Sequence, residues 1–222
     1  KKYPKESNFI NLDKMKAMID FLYEQKLKKL IFISTCSNYG FMNESKLADE
    51  ETELKPLSLY AEAKVSIENY ILEKFKKTDV VATILRFATA FGLSSRMRFD
   101  LTVNEFTRSL ALGKSLDVYD AETWRPYCHV NDFSRLILKI LEDQKNNFRF
   151  EVFNAGSDAN NFTKRQIAEL LAKKIDGSKI KFKEGDVDPR NYKVNFKKLS
   201  NINFQIKHNV KLENSKLLCI RN

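Results

Sequence analysis

Lys29-Leu30-Ile31-Phe32-Ile33-Ser34-Thr35-Cys36-Ser37-Asn38-Tyr39-Gly40 decides the fold class of this chain. Its first five residues carry a short continuous apolar run, which reads as a buried strand. The next seven are mostly small, hydroxyl or amide residues, a loop at the strand's carboxyl end. Upstream, Leu12, Met15, Met18, Ile19 and Leu22 fall at helical spacing between Asn11 and Lys26. Downstream, Asn43–Leu59 is polar, contains Pro56 and reads as irregular surface structure. Helical spacing returns over Tyr60–Lys76 at Tyr60, Ala63, Ile67, Tyr70, Ile71 and Phe75, and a second strand runs over Val80–Phe87, ended by Gly92. Strand, loop, helix and strand in this order, with buried runs, predict an α/β domain with a parallel sheet.

The second half changes character. Leu93–Asp100 reads as a loop carrying Arg96 and Arg98, and Val103–Leu112 as a short helix closed by Gly113. Strands are predicted at Ser115–Tyr119, Glu151–Asn154 and Lys179–Lys183. Helices are predicted at Asn131–Asp143, with Asn131 as cap, and at Thr163–Lys174, capped by Asn161 or Thr163. The tail, 186–222, is polar with scattered apolar residues.

Composition narrows the function classes. A length of 222 residues suits one ordinary domain or one and a half, and 43% hydrophobic residues exclude a disordered chain. No apolar run approaches the roughly 20 residues of a membrane helix. Lys1–Phe9 is polar and lacks the apolar stretch of a signal peptide. Cys36, Cys128 and Cys219 are odd in number and widely spaced, against a disulfide framework or zinc site and in favour of a reducing, cytoplasmic setting. The net charge of +10 raises nucleic acid as a partner, but Lys and Arg are mixed with Glu and Asp throughout. The densest basic stretch, Lys26–Lys29, ends a helix, where cations are favoured. A basic cleft for a phosphate-bearing small molecule accounts for the charge better. Only six glycines occur, against an average of about 7%, and none are clustered, so these residues hold no glycine-rich phosphate loop.

Tyr60-Ala-Glu-Ala-Lys64 is the stretch with chemistry in it. Residues four apart share a helical face, so the ammonium can stand near the phenol. A Tyr with a pKa of about 10 is a poor base at neutral pH, and a neighbouring cation favours its phenolate. The pair alone also reads as an amphipathic helix with a core Tyr and a solvated Lys. Context adds to it, because functional residues of α/β sheets gather at the carboxyl ends of strands. The hydroxyls of Ser34–Ser37 are predicted there, as is Leu85-Arg86-Phe87-Ala88-Thr89-Ala90-Phe91-Gly92.

These segments, in this order, resemble the NAD-dependent epimerase/dehydratase family of extended short-chain dehydrogenases/reductases, which act on nucleotide sugars. The resemblance rests on STCSNYG, PLSLYAEAK and LRFATAFG. It continues in Trp124-Arg125-Pro126-Tyr127-Cys128-His129-Val130-Asn131-Asp132, similar to an R-x-x-x-H-V-x-D segment, and in Phe153-Asn154-Ala155-Gly156. Asp188-Pro189-Arg190-Asn191-Tyr192 falls where many members place an Arg for the nucleotide diphosphate, and the Arg96–Leu101 loop resembles one branch.

The resemblance implies a partial Rossmann-type parallel sheet with a smaller α+β substrate-binding region. Residues 1–92 would be the C-terminal part of a dinucleotide-binding domain and 93–222 the substrate region, with the strand near 151–154 rejoining the first sheet. It implies Tyr60 as general acid/base on a sugar hydroxyl, Lys64 lowering its pKa and holding the nicotinamide ribose, and Thr35 orienting the hydroxyl. Cofactor contacts would come from Asn11, Ser34, Tyr60, Lys64 and Ala88. Substrate contacts would come from Thr35, Thr89, Arg125 and Arg190, the two arginines clamping a diphosphate as guanidinium forks do well. The cofactor would be NAD and the substrate a nucleotide sugar. Epimerisation at C4 would run through a keto sugar, in a homodimer packed through the helices near 12–22 and 60–75.

Departures from the pattern carry information. Cys36 and Ser37 stand where the family's 4,6-dehydratases have an acidic pair, so an epimerase or plain dehydrogenase reading gains over a dehydratase, with a nucleotide-sugar dehydratase or reductase kept as the second alternative. Cys36 reads as a small buried side chain or a reactive thiol, His129 as structural, and Arg125 as a ligand or an ion-pair former. Thr89 stands where relatives often have Asn, and Lys14-Met15 replace the Gly-Thr that follows Asn11 in relatives. Relatives also begin with a strand and a G-x-x-G-x-x-G turn absent from these residues. The expectation is a fragment of a longer enzyme; a truncated product, or a non-catalytic module binding a sugar nucleotide or protein, are the alternatives.

Overall fold

The computed structural model describes residues 6, 8–43, 45–185 and 188–211. Cys219 and most of the last part of the tail lie outside the described residues.

Strands β1 (Lys29–Thr35), β3 (Val81–Phe87) and β7 (Glu151–Ala155) form a parallel sheet in the order β1-β3-β7. Register fixes the geometry of everything that follows. Thr35 pairs with Phe87, and Phe87 with Ala155, so all three strands end in one row. The parallel sheet is as read from the sequence, and Glu151–Ala155 pairs with β3 although it comes from the second half. Burial differs between the strands. Six of the seven residues of β3 are buried, whereas β1 is buried only at Phe32 and Ser34. The apolar run that announced the sheet is therefore its half-buried outer strand among the described residues, and β3 is the one enclosed on both faces.

Alternation along β3 assigns its two covers. Ala82 and Ile84 face helices α1 (Lys14–Glu24) and α2 (Leu59–Phe75), packing with Ile19, Ile67, Ile71 and Phe75. Val81 and Leu85 face the opposite side, packing with Phe133, Leu136 and Ile140 of α4 (Val130–Glu142). Full burial of a large apolar side chain contributes about 1.5–3 kcal/mol, so these two layers hold the sheet flat against its helices. Ser58 caps α2 by accepting from the Ala61 N–H at 3.2 Å. The predicted Asn11–Lys26 helix begins as a π-type turn, Phe9–Asp13, before continuing as α1.

At Ala88 the chain leaves the first sheet. The predicted strand to Gly92 is in fact two, because β4 (Thr89–Phe91) pairs with β6 (Trp124–His129) in another sheet completed by β8 (Asn161–Thr163). Periodicity missed β6 and β8, and Pro126 explains the first. Residues 124–126 pair with β8 and 127–129 with β4, so the proline stands where pairing changes sides. Gly92 has φ +112°, and a Cβ there would lie 2.3 Å from His129 Nε2. Helices α3 (Thr102–Ala111) and α5 (Lys164–Ala172) enclose a second core with the parallel pair β5 (Leu116–Tyr119) and β9 (Ile180–Lys183).

Two caps refine the expectations. His129, not Asn131, caps α4, its Nδ1 accepting from the Asn131 N–H at 3.1 Å. Thr163 rather than Asn161 caps α5, in a reciprocal box with Gln166. The stretches read as irregular also contribute a pairing, β2 (Leu47–Ala48) with β10 (Lys193–Val194).

Candidate active site at the carboxyl ends of β1 and β3

Thr35 and Ser34 are neighbours on a strand, so they face opposite ways. Thr35 closes β1 and caps the 3₁₀ turn Cys36–Tyr39. Its Oγ1 accepts from the Ser37 N–H at 3.1 Å and lies 2.8 Å from Ser37 Oγ. Ser34 is 2% exposed and donates its hydroxyl to Glu68. Any contact of Ser34 with a cofactor must therefore come from its backbone.

Glu68 opens an interior network that periodicity did not foresee. Its side chain and that of Arg86 are only 2% and 7% exposed, and Arg86 Nη2 donates to Glu68 Oε2 at 2.8 Å. Arg86 also donates to the Tyr39 hydroxyl at 3.1 Å, which donates to Asn154 Oδ1 at 2.7 Å. Asn38 Nδ2 reaches Glu68 Oε1 at 2.8 Å. One set of side chains thus ties β1, its following turn, α2, β3 and β7 together directly behind the row of strand ends. A signal was available, since a charge inside the apolar run Leu85-Arg86-Phe87 requires a partner when buried.

Tyr60 and Lys64 lie in the first turns of α2, beside that row. The Tyr60 ring is 42% exposed. Lys64 Nζ lies 5.7 Å from its centroid and 4.5 Å from that of Phe32, and donates to the Ile33 carbonyl at 2.6 Å. Burial pushes the Tyr60 phenol above its ordinary value, and the charge of Arg98 acts against that rise. The expected lowering by Lys64 is not the balance found; Arg98 is the cation opposing burial. Burial likewise lowers Lys64, with Glu68 acting in the opposite direction. Asn11 lies half-buried in the π-type turn that packs against α2.

Ala88, 5% exposed, donates its N–H to Ala155 O at 3.1 Å at the crossing between sheets. Thr89, half-buried, pairs with Tyr127. The arginines approach through a backbone stitch. Asn191 N–H donates to Gly40 O at 3.1 Å, Met42 N–H donates to Asn191 O at 2.7 Å, and Trp124 N–H donates to Asn191 Oδ1 at 2.8 Å. Arg125 and Arg190 are thereby brought together next to the loop that follows Thr35, and both bind Asp188. Burial alone would raise the Asp188 carboxyl; Arg190 and Arg125 outweigh it and hold it below the ordinary range. Asp188 carried no expected role.

The sequence profile of the NAD dependent epimerase/dehydratase family matches residues 1–156. The chain belongs to this family. An uncharacterized protein of Methanocaldococcus jannaschii is 27% identical over 141 residues, 63% of this chain and 42% of that protein. A UDP-glucose 4-epimerase of Lactobacillus helveticus is 24% identical over 190 residues, 79% of this chain and 57% of that enzyme. The chain thus spans about half the length of these relatives. Among solved structures, the UDP-glucose 4-epimerase of Thermotoga maritima with UDP-glucose superposes at TM-score 0.84 and 24% identity, covering 100% of this chain and 73% of that one. The UDP-glucuronic acid 4-epimerase of Bacillus cereus, in complex with UDP-glucuronic acid and NAD, gives 0.82 at 23% identity, covering 94% and 66%. At these identities the likeness concerns the fold.

For a member of the epimerase/dehydratase family, the residues after Thr35 are informative. Cys36 is 1% exposed, lies 3.1 Å from Arg86 O as its donor, and is pushed well above the ordinary thiol range by burial. Neither it nor Ser37 supplies a carboxylate. The ribose end of NAD fits the donor chemistry present, since the Lys64 ammonium has three N–H groups and gives one to Ile33. For the cofactor's pyrophosphate no glycine-rich turn exists among these residues. Among the described residues no group of three or more His, Cys, Asp or Glu is placed to hold a metal ion. No described helix is long and apolar enough to cross a membrane.

Proposed function

We propose that the protein carrying this chain is an NAD-dependent nucleotide-sugar 4-epimerase, and that these residues supply its proton-transfer and substrate-binding parts. The observation that supports this reading is Lys64, beside the Tyr60 ring on α2, reaching the carbonyl of Ile33 two residues before Thr35 on β1. Tyr60 takes the proton from the sugar hydroxyl, and Thr35 hydrogen-bonds the same oxygen and holds it over the phenol. Lys64, fixed by Ile33 O at 2.6 Å, keeps donors for a ribose hydroxyl and places positive charge beside the ring. NAD, when bound, supplies the hydride acceptor. Once the keto sugar has presented its other face, return of the hydride from the reduced cofactor to that carbon would invert it, and Tyr60 gives its proton back to the sugar oxygen. Arg125 and Arg190 hold the diphosphate. A thiol and a hydroxyl at positions 36 and 37 favour this over dehydration, which needs a group to move a second proton. Residues 1–92 act as part of the cofactor domain and 93–222 as the substrate region. Met18 and Phe21, 48% and 63% exposed on α1, offer an apolar face for a homodimer.

The test is the interconversion of UDP-glucose and UDP-galactose followed by NMR with the protein and Tyr60→Phe. The variant should lose turnover by about 10²–10⁴-fold while binding UDP-sugar nearly unchanged. Undiminished turnover, or no turnover in the unaltered full protein with either this pair or the corresponding uronic acids, overturns the reading.

A further inference from the structure

The anion position between Arg125 and Arg190 is already occupied by the protein's own Asp188. Its Oδ2 lies 2.9 Å from Arg125 Nη2 and 2.9 Å from Arg190 Nη2. Its Oδ1 accepts from Arg190 Nε at 2.9 Å and from the Arg190 backbone N–H at 3.1 Å. Arg125 is not free to turn aside. Its side chain is 9% exposed, Nη1 donates to Trp124 O at 2.7 Å, and the guanidinium lies 4.9 Å from the Tyr192 centroid. Arg190, 41% exposed, is the more open half of the pair. Among the described residues the other charges here are Lys164 and Asp120, 3.8 Å apart, and Asp120 accepts the Asp188 N–H at 3.0 Å. Among the described residues, three cations therefore face two carboxylates.

We propose that Asp188 is an intramolecular stand-in for the ligand's phosphate, which a diphosphate must displace to reach both guanidiniums. The inference rests on reading Arg125 and Arg190 as the diphosphate clamp. Without a resident carboxylate, two guanidiniums would sit side by side with one of them buried, an arrangement that like charges oppose. With it, the empty site is neutralised, and entry becomes an exchange of one anion for another. A singly charged group gains little from that exchange. A diphosphate brings more charge and more acceptor oxygens for the same N–H donors, and gains from it. Asp188 then sets the affinity of the site: its displacement costs every anion the same, and only one with more charge and more acceptor oxygens than a carboxylate repays that cost.

Calorimetric titration of the protein with uridine 5′-diphosphate and uridine 5′-monophosphate, compared with Asp188→Asn, Asp188→Ser and Arg190→Ala, tests this, with thermal melts confirming folding. Both Asp188 variants should bind the diphosphate tighter, on the order of tenfold. The monophosphate should gain no more than the diphosphate does, so that the preference does not narrow, whereas Arg190→Ala should weaken the diphosphate. Equal or weaker diphosphate binding in folded Asp188 variants, with Arg190→Ala still weakening it, leaves the clamp standing and overturns the stand-in. A gain larger for the monophosphate than for the diphosphate overturns it too. Absence of diphosphate binding in the protein and in every variant removes the clamp itself and the inference with it.

Discussion

The Lys64 ammonium donates to the Ile33 carbonyl at 2.6 Å, which fastens α2 to β1 two residues before Thr35. The same contact sets where the Tyr60 phenol stands relative to the strand end. Lys64→Met removes the charge, the donor and the fastening together. Turnover should fall by about 10²–10⁴-fold, and NAD binding, measured by fluorescence, should weaken with it. Lys64→Arg should not restore either, because a planar fork does not present the point charge of an ammonium at that carbonyl. A Lys64→Met protein with wild-type turnover would take Lys64 out of the chemistry.

Arg98 opposes the burial that raises the Tyr60 phenol. The base form of Tyr60 is the deprotonated one, so kcat/KM should decline as pH falls below the phenol's pKa. Removing the cation in Arg98→Ala leaves burial unopposed and moves that acid limb to higher pH. Since Arg98 and its partner Asp100 are both 65% exposed, added salt should move the wild-type limb in the same direction. A pH–rate profile identical in wild type and variant would show that Arg98 does not act on the phenol.

Glu68 and Arg86 form a buried pair at 2.8 Å whose other partners are Ser34 on β1, Asn38 and Tyr39 in the 3₁₀ turn, and the Glu50 carbonyl. Breaking it from one side strands a charge in the interior. Glu68→Leu or Arg86→Met should each cost about 3–5 kcal/mol in urea unfolding, and the double substitution clearly less than the sum of the two. Additive losses would mean that the two side chains are stabilised independently.

The parallel sheet and the helix carrying Tyr60 and Lys64 were legible because their signals are local. An apolar run such as Leu30–Ile33 and a three-to-four spacing such as Ala63, Ile67, Ile71 need no knowledge of partners. What escaped was set by partners far away in sequence. Leu30 and Ile33 are equally apolar whether a strand is central or marginal, so the half-burial of β1 could not be read from them. Pro126 concealed β6, whose two halves pair with different neighbours. Ser34 looked like a loop hydroxyl until strand alternation turned it toward Glu68, 34 positions away. Arg125 and Arg190 were visible as candidate anion ligands, but the carboxylate between them depends on how residues 63 apart in sequence converge.

Asp132 gives the last prediction, about the segment that closes the structure. Its buried carboxylate accepts from the N–H groups of Lys207 and His208 and from Arg135, with His208 Nδ1 3.0 Å away. Burial alone would raise its pKa, but these hydrogen bonds outweigh it and hold the carboxyl below its ordinary value. A carboxyl depressed in the folded state stabilises the fold above its unfolded pKa of about 3.9, and that contribution is lost as pH falls through the folded value. Stability should therefore drop on acidification below about pH 4 more steeply in wild type than in Asp132→Asn, which has no proton to take up there. At neutral pH the variant should be the less stable, with amide exchange faster at Lys207 and His208 than at the α4 interior. Parallel acid limbs in the two proteins would exclude Asp132 as the group that ties residues 207–208 to α4.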